Sequence, residues 1–206
     1  MSRLSKALAR AGLAVEIDEG AADRLRRFVE LRTDWAKTHN LAGPQALAEP
    51  WRIDVVDGLA VAQVLEPELP LVDVGAGGGI PGLVVAALDP QRPVFLVEPR
   101  AKRTAFLRTA AHRLSLANVR VLRARWPLPD SIGPAQVVSR AVVSPEQWPA
   151  LALRGGESVE GVIRMLAAER PLVTLPALEM QRWVDYGTDS DGHRRVEFWA
   201  RQPQTT

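Results

Sequence analysis

The 206-residue chain contains no cysteine, which excludes disulfide bonds and thiolate chemistry. It also lacks any apolar run close to the roughly 20 residues that a membrane-spanning helix needs. The first segment, Met1 to Glu19, is broken up by polar residues, so we expect no secretory signal. These absences predict a cytoplasmic protein that makes no contact with a membrane.

Histidine is scarce as well as scattered. His39, His112 and His193 stand far apart and form no cluster with the spacing of metal ligands. We therefore expect no metal cofactor. The net charge is only +2, but most of the 26 basic residues are arginine, whose planar guanidinium binds phosphate in a bidentate manner. This composition slightly favours a nucleic-acid partner.

The residues before Leu71 have helical periodicity. Apolar spacing predicts one helix at 22–39 and a second at 45–65, with Gly43 and Pro44 between them. We interpret residues 1–66 as an N-terminal helical extension.

From Leu71 onward, short apolar strands alternate with helices, which indicates a mostly parallel α/β sheet. The predicted strands are Leu71–Val74, Val94–Val97, Val119–Leu122 and Ala135–Val138. The predicted helices between them are Pro81–Leu88 and Ala101–Leu116.

The last quarter of the chain is predicted to close the sheet. We expect a helix at Glu157–Ala168, followed by two strands at Gln181–Tyr186 and Arg194–Ala200. An Asp-Ser-Asp-Gly turn between the strands predicts an antiparallel hairpin. The ligand-binding domain is then 67–201, and 202–206 is a flexible tail.

A glycine-rich run, Asp73-Val-Gly-Ala-Gly-Gly-Gly-Ile-Pro-Gly82, follows the first of these strands and opens a helix. Glycine is needed in such a turn because a Cβ would block the tight bend and hold a ligand away from the backbone. Gly77, Gly79 and Gly82 also satisfy the dinucleotide pattern, so a nicotinamide or flavin enzyme is an alternative.

Three details favour S-adenosylmethionine over a dinucleotide. Asp73 precedes the glycines, where its carboxylate can orient the loop or accept from the ammonium of the cofactor. Glu98 ends the second strand, where it can accept both ribose hydroxyls. Pro81 removes an N–H that a pyrophosphate would use. The sequence therefore predicts a Rossmann-like class I methyltransferase fold that binds S-adenosylmethionine.

Four ordered motifs resemble the RsmG (GidB) family of small-subunit ribosomal RNA guanine-N7 methyltransferases. One is the glycine-rich run, and another is Trp35-Ala-Lys-Thr-His-Asn-Leu41. The third is Glu98 with Lys102-Arg103 and Phe106-Leu107-Arg108, and the fourth is Ser139-Arg140-Ala141. The resemblance covers about residues 25–145.

The resemblance implies a cytoplasmic enzyme that methylates N7 of a guanine in 16S ribosomal RNA. Its partner would be the small-subunit RNA or the 30S particle, and we expect a monomer. Arg140, at the end of a strand, is the expected catalytic residue, donating to the cofactor or to guanine O6. The expected cofactor contacts, from the turn and the resemblance together, are Asp73, Gly75, Gly77, Gly79, Ile80, Glu98, Trp126, Pro127 and Arg140.

Three departures from the family pattern stand out. The family usually has an acidic residue where this chain has Trp126-Pro127. The Arg-His pair of the family aligns with Ile53-Asp54 of this chain. For the later Lys-Gly motif of the family, this chain offers only Arg154-Gly155, and this match requires that a helix between Ala141 and Arg154 is missing. The last two departures motivate an alternative: a degenerate or re-purposed methyltransferase-fold protein that binds S-adenosylmethionine or RNA without this activity.

The predicted reaction needs few catalytic groups. Guanine N7 carries an in-plane lone pair and loses no proton, so no general base is required. We expect catalysis to come from positioning, for which the ceiling is about 7–11 kcal/mol. The basic run from Arg100 to Arg125 is predicted to be either a phosphate-binding surface or a solvated helix face.

Overall fold

The computed structural model describes residues 2–39, 41, 43–130, 132–167, 175, 177–187 and 192–202. Within these ranges, a seven-stranded sheet has the order β3-β2-β1-β4-β5-β7-β6. The strands are β1 (Leu71–Val74), β2 (Val94–Val97), β3 (Val119–Leu122), β4 (Ala135–Val138), β5 (Val159–Ala167), β6 (Leu178–Tyr186) and β7 (Arg194–Arg201). The α-helices are α1 (Arg3–Ala11), α2 (Glu19–Ala36), α3 (Pro44–Ala48), α4 (Val56–Val64), α5 (Gly82–Leu88), α6 (Ala101–Arg113) and α7 (Trp148–Ala152).

Strands β1 to β5 run parallel, while β7 pairs antiparallel with both β5 and β6. The four predicted strands of the parallel sheet and the predicted hairpin are therefore confirmed. Because the chain order reverses between β1 and β4, the carboxyl ends of these two strands border a crevice. Ligands bind at such a switch point in open α/β sheets.

The predicted helix at Glu157–Ala168 is wrong, because Val159–Ala167 forms β5. This strand lies between β4 and β7, and most of its residues are buried. A strand covered on both faces carries a nearly continuous apolar run, which periodicity cannot distinguish from a buried helix. Arg154 and Gly155 belong to a 3₁₀ turn at Leu153–Ser158, just before that strand. Among the described residues of the β4–β5 connection, this turn and the short helix α7 are the helical elements.

The helices before β1 differ from the predicted ones in their bounds. Helix α2 begins at Glu19, where the Asp18 carboxylate accepts from the Ala21 N–H at 2.7 Å, and it ends at Ala36. The single helix predicted at 45–65 is divided into α3, a π-helical turn at Trp51–Val55 and α4. The break falls beside Pro50, which has no N–H to donate.

Two further differences concern helix starts. A helix that the sequence did not indicate, α1, is capped at its start by the Ser2 hydroxyl, and Gly12, which follows its last residue, has the left-handed conformation. Helix α5 begins at Gly82, so Pro81 occupies its N-cap position instead of its first turn.

One apolar core cluster joins the N-terminal helices to one face of the sheet. It contains Leu25 and Phe28 of α2, Leu59 of α4, Leu71 of β1 and Phe106 of α6. A second cluster, which includes Val72, Val137 and Trp148, lies on the opposite face. The predicted boundary at residue 66 stays a prediction. The predicted tail beyond Gln202 and residues 189–191 of the predicted turn lie outside the described residues.

Candidate active site

The bend after β1 is built from backbone. Gly75 and Ala76 donate their N–H groups to the Val97 carbonyl at 2.8 and 3.1 Å, so the bend is fixed to the end of β2. Gly75 has φ of +72°, and a Cβ there would lie 2.2 Å from a methyl of Val142. Glycine is therefore required both by the conformation and by the close approach of the loop after β4.

Glu98 ties this bend to the loop after β2. Its side chain is buried, Oε2 accepts from the Gly77 N–H at 3.0 Å and Oε1 accepts from the Arg100 N–H at 2.9 Å. An ionised carboxylate offers about four acceptor sites. Each oxygen of Glu98 consequently has capacity to accept one more hydrogen bond.

Asp73 supports the bend from inside the protein. It is fully buried, and Oδ2 accepts from the Gly82 N–H at 2.8 Å, while Oδ1 has no hydrogen-bond partner among the described residues. Burial raises the pKa of Asp73 to about 7, although the hydrogen bond from Gly82 acts in the opposite direction. This geometry favours the first of the two predicted roles, orientation of the loop.

Arg140 follows β4 and is held on one side by two carboxylates. Its Nη1 lies 2.7 Å from Asp54 Oδ1 and 3.0 Å from Asp57 Oδ2. Burial alone would lower the pKa of Arg140, but Asp57 and Asp54 more than offset this effect, so the pKa lies above its ordinary value. The side chain of Arg140 remains about a quarter exposed and lines the crevice.

Trp126, in the loop after β3, is fixed by the β4–β5 connection. Its indole Nε1 donates to the Leu151 carbonyl at 3.0 Å. A Cβ on Gly155 would lie 2.4 Å from the indole ring, so the small residue at that position lets the ring pack closely. The Trp126–Pro127 peptide bond is cis.

These loops enclose a cavity of about 540 Å³ at the carboxyl ends of β1 to β4. It is lined by Leu41, Val74, Gly75, Ala76, Gly77, Gly78, Ile80, Val97, Glu98, Pro99, Arg100, Arg103, Ala124, Arg125, Trp126, Arg140, Ala141, Val142 and Leu151. Six of the predicted site residues are among them: Gly75, Gly77, Ile80, Glu98, Trp126 and Arg140. Asp73, Gly79 and Pro127 do not line it. A Cβ on Gly79, where φ is +83°, would lie 2.5 Å from a methyl of Leu83.

Sequence reasoning did not assign several lining residues to the site. Leu41 belonged to a recognised motif, and Arg100, Arg103 and Arg125 belonged to the basic run, so a signal existed for these four. Val142 and Leu151 carried no such signal, because their position depends on how the β4–β5 connection folds over the bend.

A basic surface adjoins the cavity. No aspartate or glutamate occurs between Glu98 and Asp130, whereas eight arginine and lysine residues do. Within the described part of the chain, the exposed side chains of Arg100, Lys102, Arg108, Arg123 and Arg125 form no ion pair. Because the whole chain has a net charge of only +2, the remainder is net negative and the positive charge is concentrated beside the cavity.

Two searches of the described residues bear on other kinds of site. No helix there is both long enough and apolar enough to span a membrane. No group of three or more histidine, aspartate or glutamate side chains within the same ranges could hold a metal ion.

A protein-family model described as GidB, rRNA small subunit methyltransferase G, matches residues 21–181, which is more than half of the chain. The chain belongs to this family. The predicted resemblance to the RsmG (GidB) family is thus confirmed, and the match extends beyond the four motifs into the hairpin.

Two curated relatives named Ribosomal RNA small subunit methyltransferase G support the assignment to GidB. Those from Dichelobacter nodosus and Halorhodospira halophila are 36% and 35% identical over 118 and 158 residues, or 56% and 77% of this chain. The matches cover 54% and 75% of the relatives. The chain thus spans about half the length of the first relative and three quarters of the second.

Among solved structures, a mutant of MtNAS in complex with S-adenosylmethionine superimposes with a TM-score of 0.57 at 13% identity, covering 88% of this chain and 76% of that chain. A likeness at this identity concerns the fold alone. Together with the strand order, it confirms the Rossmann-like class I methyltransferase fold predicted for this GidB member.

We predict that Asp73 makes the protein less stable as the pH rises. A raised pKa means that the folded chain holds this proton more tightly than the unfolded chain, so stability falls between about pH 4 and about pH 7. Asp73→Asn keeps an oxygen for the Gly82 N–H and does not ionise. Its stability should equal that of the wild type near pH 4 and exceed it at pH 8 by at most about 4 kcal/mol.

Urea unfolding of both proteins at the two pH values measures this difference. The comparison cancels the titration of all other groups, because they are common to both proteins. Parallel pH profiles for the variant and the wild type would contradict the assignment.

Proposed function

We propose that the protein transfers a methyl group from S-adenosylmethionine to N7 of a guanine in small-subunit (16S) ribosomal RNA. The observation that carries this proposal is the cavity at the switch point of the sheet, which combines a bare glycine bend, Glu98 and Arg140. Membership of the rRNA small subunit methyltransferase G family supports both the reaction and the RNA substrate.

The residues of the cavity fit the proposed cofactor. Its volume of about 540 Å³ lies within the range of small-molecule sites. The bend presents backbone where a side chain would fill the space, and Glu98 keeps acceptor capacity for two ribose hydroxyls. We assign the contacts to Gly75, Gly77, Ile80, Glu98, Trp126 and Arg140, while Asp73 and Gly79 shape the bend from behind.

Positioning is the main task of this site. S-adenosylmethionine supplies an electrophilic methyl group on a sulfonium. Guanine N7 already has a free lone pair, so no side chain of the protein needs to remove a proton. Arg140 has Nη1 occupied by carboxylates, which leaves Nη2 and Nε to donate to the cofactor or to guanine O6. Such a fixed donor stabilises charge that develops during transfer.

The basic surface beside the cavity supports an RNA partner. Arg100 and Arg125 line the rim, and Lys102, Arg108 and Arg123 extend the positive charge over α6 and the β3 edge. Phosphates of a folded RNA would meet these side chains when a guanine enters the cavity. We propose that a monomer acts in the cytoplasm on this RNA or on the 30S particle.

The rival hypothesis of a degenerate protein rested on the departures at Ile53-Asp54 and Arg154-Gly155. In the structure, Asp54 is compensated by Arg32 and Arg140, and Gly155 is packed under Trp126. Both segments therefore contribute to an intact site, and we favour the enzyme.

Transfer of radiolabel from S-adenosylmethionine to undermethylated small ribosomal subunits tests the proposal. We expect label in the 16S RNA, located at guanine N7 by nucleoside analysis. Label on another acceptor, or no label while cofactor binding is intact, would refute the ribosomal assignment.

We predict that Gly77→Asp abolishes cofactor binding. Gly77 lines the cavity and has φ of +54°, so the new side chain would be strained and would occupy ligand space, with its Cβ 3.5 Å from Arg103 Nη1 and 3.6 Å from the Gly75 carbonyl. Gly12→Asp is a matched control, because Gly12 also has a positive φ, of +68°, but faces open space at the end of α1. Calorimetry should show at least a hundredfold loss of affinity for the first variant alone, and equal losses in both would disprove the assignment of the bend.

We predict that the double charge reversal Lys102→Glu and Arg108→Glu weakens RNA binding without affecting cofactor binding. Both side chains are exposed on α6, and neither lines the cavity. Each lost phosphate contact should reduce the slope of log affinity against log salt by about 1. The double reversal Arg3→Glu and Lys6→Glu on α1 changes the net charge equally and serves as the control. Equal slopes for the two double variants would eliminate this surface as the RNA site.

A further inference from the structure

Two carboxylates on one continuous helical segment hold the same nitrogen of Arg140. Asp54 lies in the π-helical turn at Trp51–Val55, and Asp57 lies in the first turn of α4. Their separation of three residues places both on one side of the helix. Because both contact Nη1, the other two nitrogens of the guanidinium are left for the cavity.

Asp54 is itself fixed by a second, buried arginine. Arg32 Nη1 lies 2.6 Å from Asp54 Oδ2, and the two side chains are only 2% and 1% exposed. Neither of the two contacts of Asp54 has the alignment of a hydrogen bond, so they act as charge pairs. Burial lowers the pKa of Arg32, and the attraction of Asp54 counteracts that effect. Arg32 is therefore the counter-ion that allows a buried aspartate at this position.

Arg32 also lies close to the glycine bend. A Cβ on Gly78 would lie 3.1 Å from Arg32 Nε and 3.0 Å from the Leu41 carbonyl. Both Gly78 and Leu41 line the cavity. The buried pair of Arg32 and Asp54 thus connects α2 to the glycine bend through Arg32 and to Arg140 through Asp54.

Asp57 is anchored on the opposite side by the C-terminal hairpin. Its Oδ1 accepts from the Tyr186 hydroxyl at 2.8 Å and from Arg194 Nη1 at 2.5 Å. Burial and, to a smaller extent, the negative charge of Asp57 raise the pKa of Tyr186 well above its ordinary value. The hydroxyl therefore keeps its proton for this hydrogen bond.

We propose that Asp54 is a positioning residue for methyl transfer, which orients Arg140 through Nη1 with Arg32 as its counter-ion. The catalytic part of this inference rests on the proposed function. Asp54→Asn removes the charge while preserving the shape. Asp57 alone then holds Nη1, and the guanidinium can rotate about its bonds. We expect kcat to fall about ten- to a hundredfold, as a displacement of about 1 Å can cause.

Glu197→Gln is the matched control, because Glu197 is equally buried in an ion pair, with Arg164 Nη1 at 2.8 Å, and does not line the cavity. Both variants should lose thermal stability, but only Asp54→Asn should lose kcat. Equal kcat values for Asp54→Asn and the wild type would overturn the proposal.

A double variant separates positioning from stability. Replacing both members of a buried ion pair by apolar residues of similar size is often neutral for stability. Arg32→Met with Asp54→Leu should therefore unfold near the wild-type temperature and still have the reduced kcat. Recovery of kcat together with the unfolding temperature would show that Asp54 serves stability alone.

A spectroscopic readout tests the orientation of Arg140 independently of activity. In ¹⁵N–¹H spectra of guanidinium groups at low temperature, the signals that vanish in Arg140→Lys identify this residue. We expect separate Nη1 and Nη2 signals in the wild type and one averaged signal in Asp54→Asn. Separate signals in both would contradict the proposal. Failure of the wild type to methylate RNA would instead refute the proposed function and leave this spectroscopic test in force.

Discussion

The hydrogen bond from the Gly77 N–H to Glu98 is the contact on which the site depends. It joins the bend after β1 to the loop after β2, and the bend is fixed again by two N–H groups that donate to Val97. The bend can lie this close to neighbouring loops because Gly75 has no side chain. A cavity bounded by backbone on one side and by a carboxylate on the other is the result.

Charge organises the remainder of the site around Arg140. Asp54 links it to α2 through Arg32, and Asp57 links it to the C-terminal hairpin. Three distant parts of the chain therefore meet at one guanidinium, so the N-terminal helices support Arg140 from outside the cavity. Asp54, one of the positions predicted to depart from the family pattern, carries part of this linkage.

Much of the fold and part of the site could be predicted from the sequence, since both depend on local patterns. The four strands of the parallel sheet follow from short apolar runs, and Gly75 and Glu98 follow from their places at strand ends. The strand at Val159–Ala167 was missed because only its neighbours β4 and β7 distinguish it from a helix. The partners of Asp54 could not be predicted, because Arg140 and Arg32 are remote in sequence and their approach depends on packing of the complete core. Burial of Asp73 behind the bend is of the same kind.

A crystal structure of the protein with S-adenosylhomocysteine would test the central claim most directly, because it locates a ligand without requiring turnover. Our account predicts the nucleoside against Gly75 and Gly77, with both ribose hydroxyls donating to Glu98 and the hydrogen bond from Gly77 to Glu98 retained. A ligand bound elsewhere, or a ribose without contact to Glu98, would contradict it.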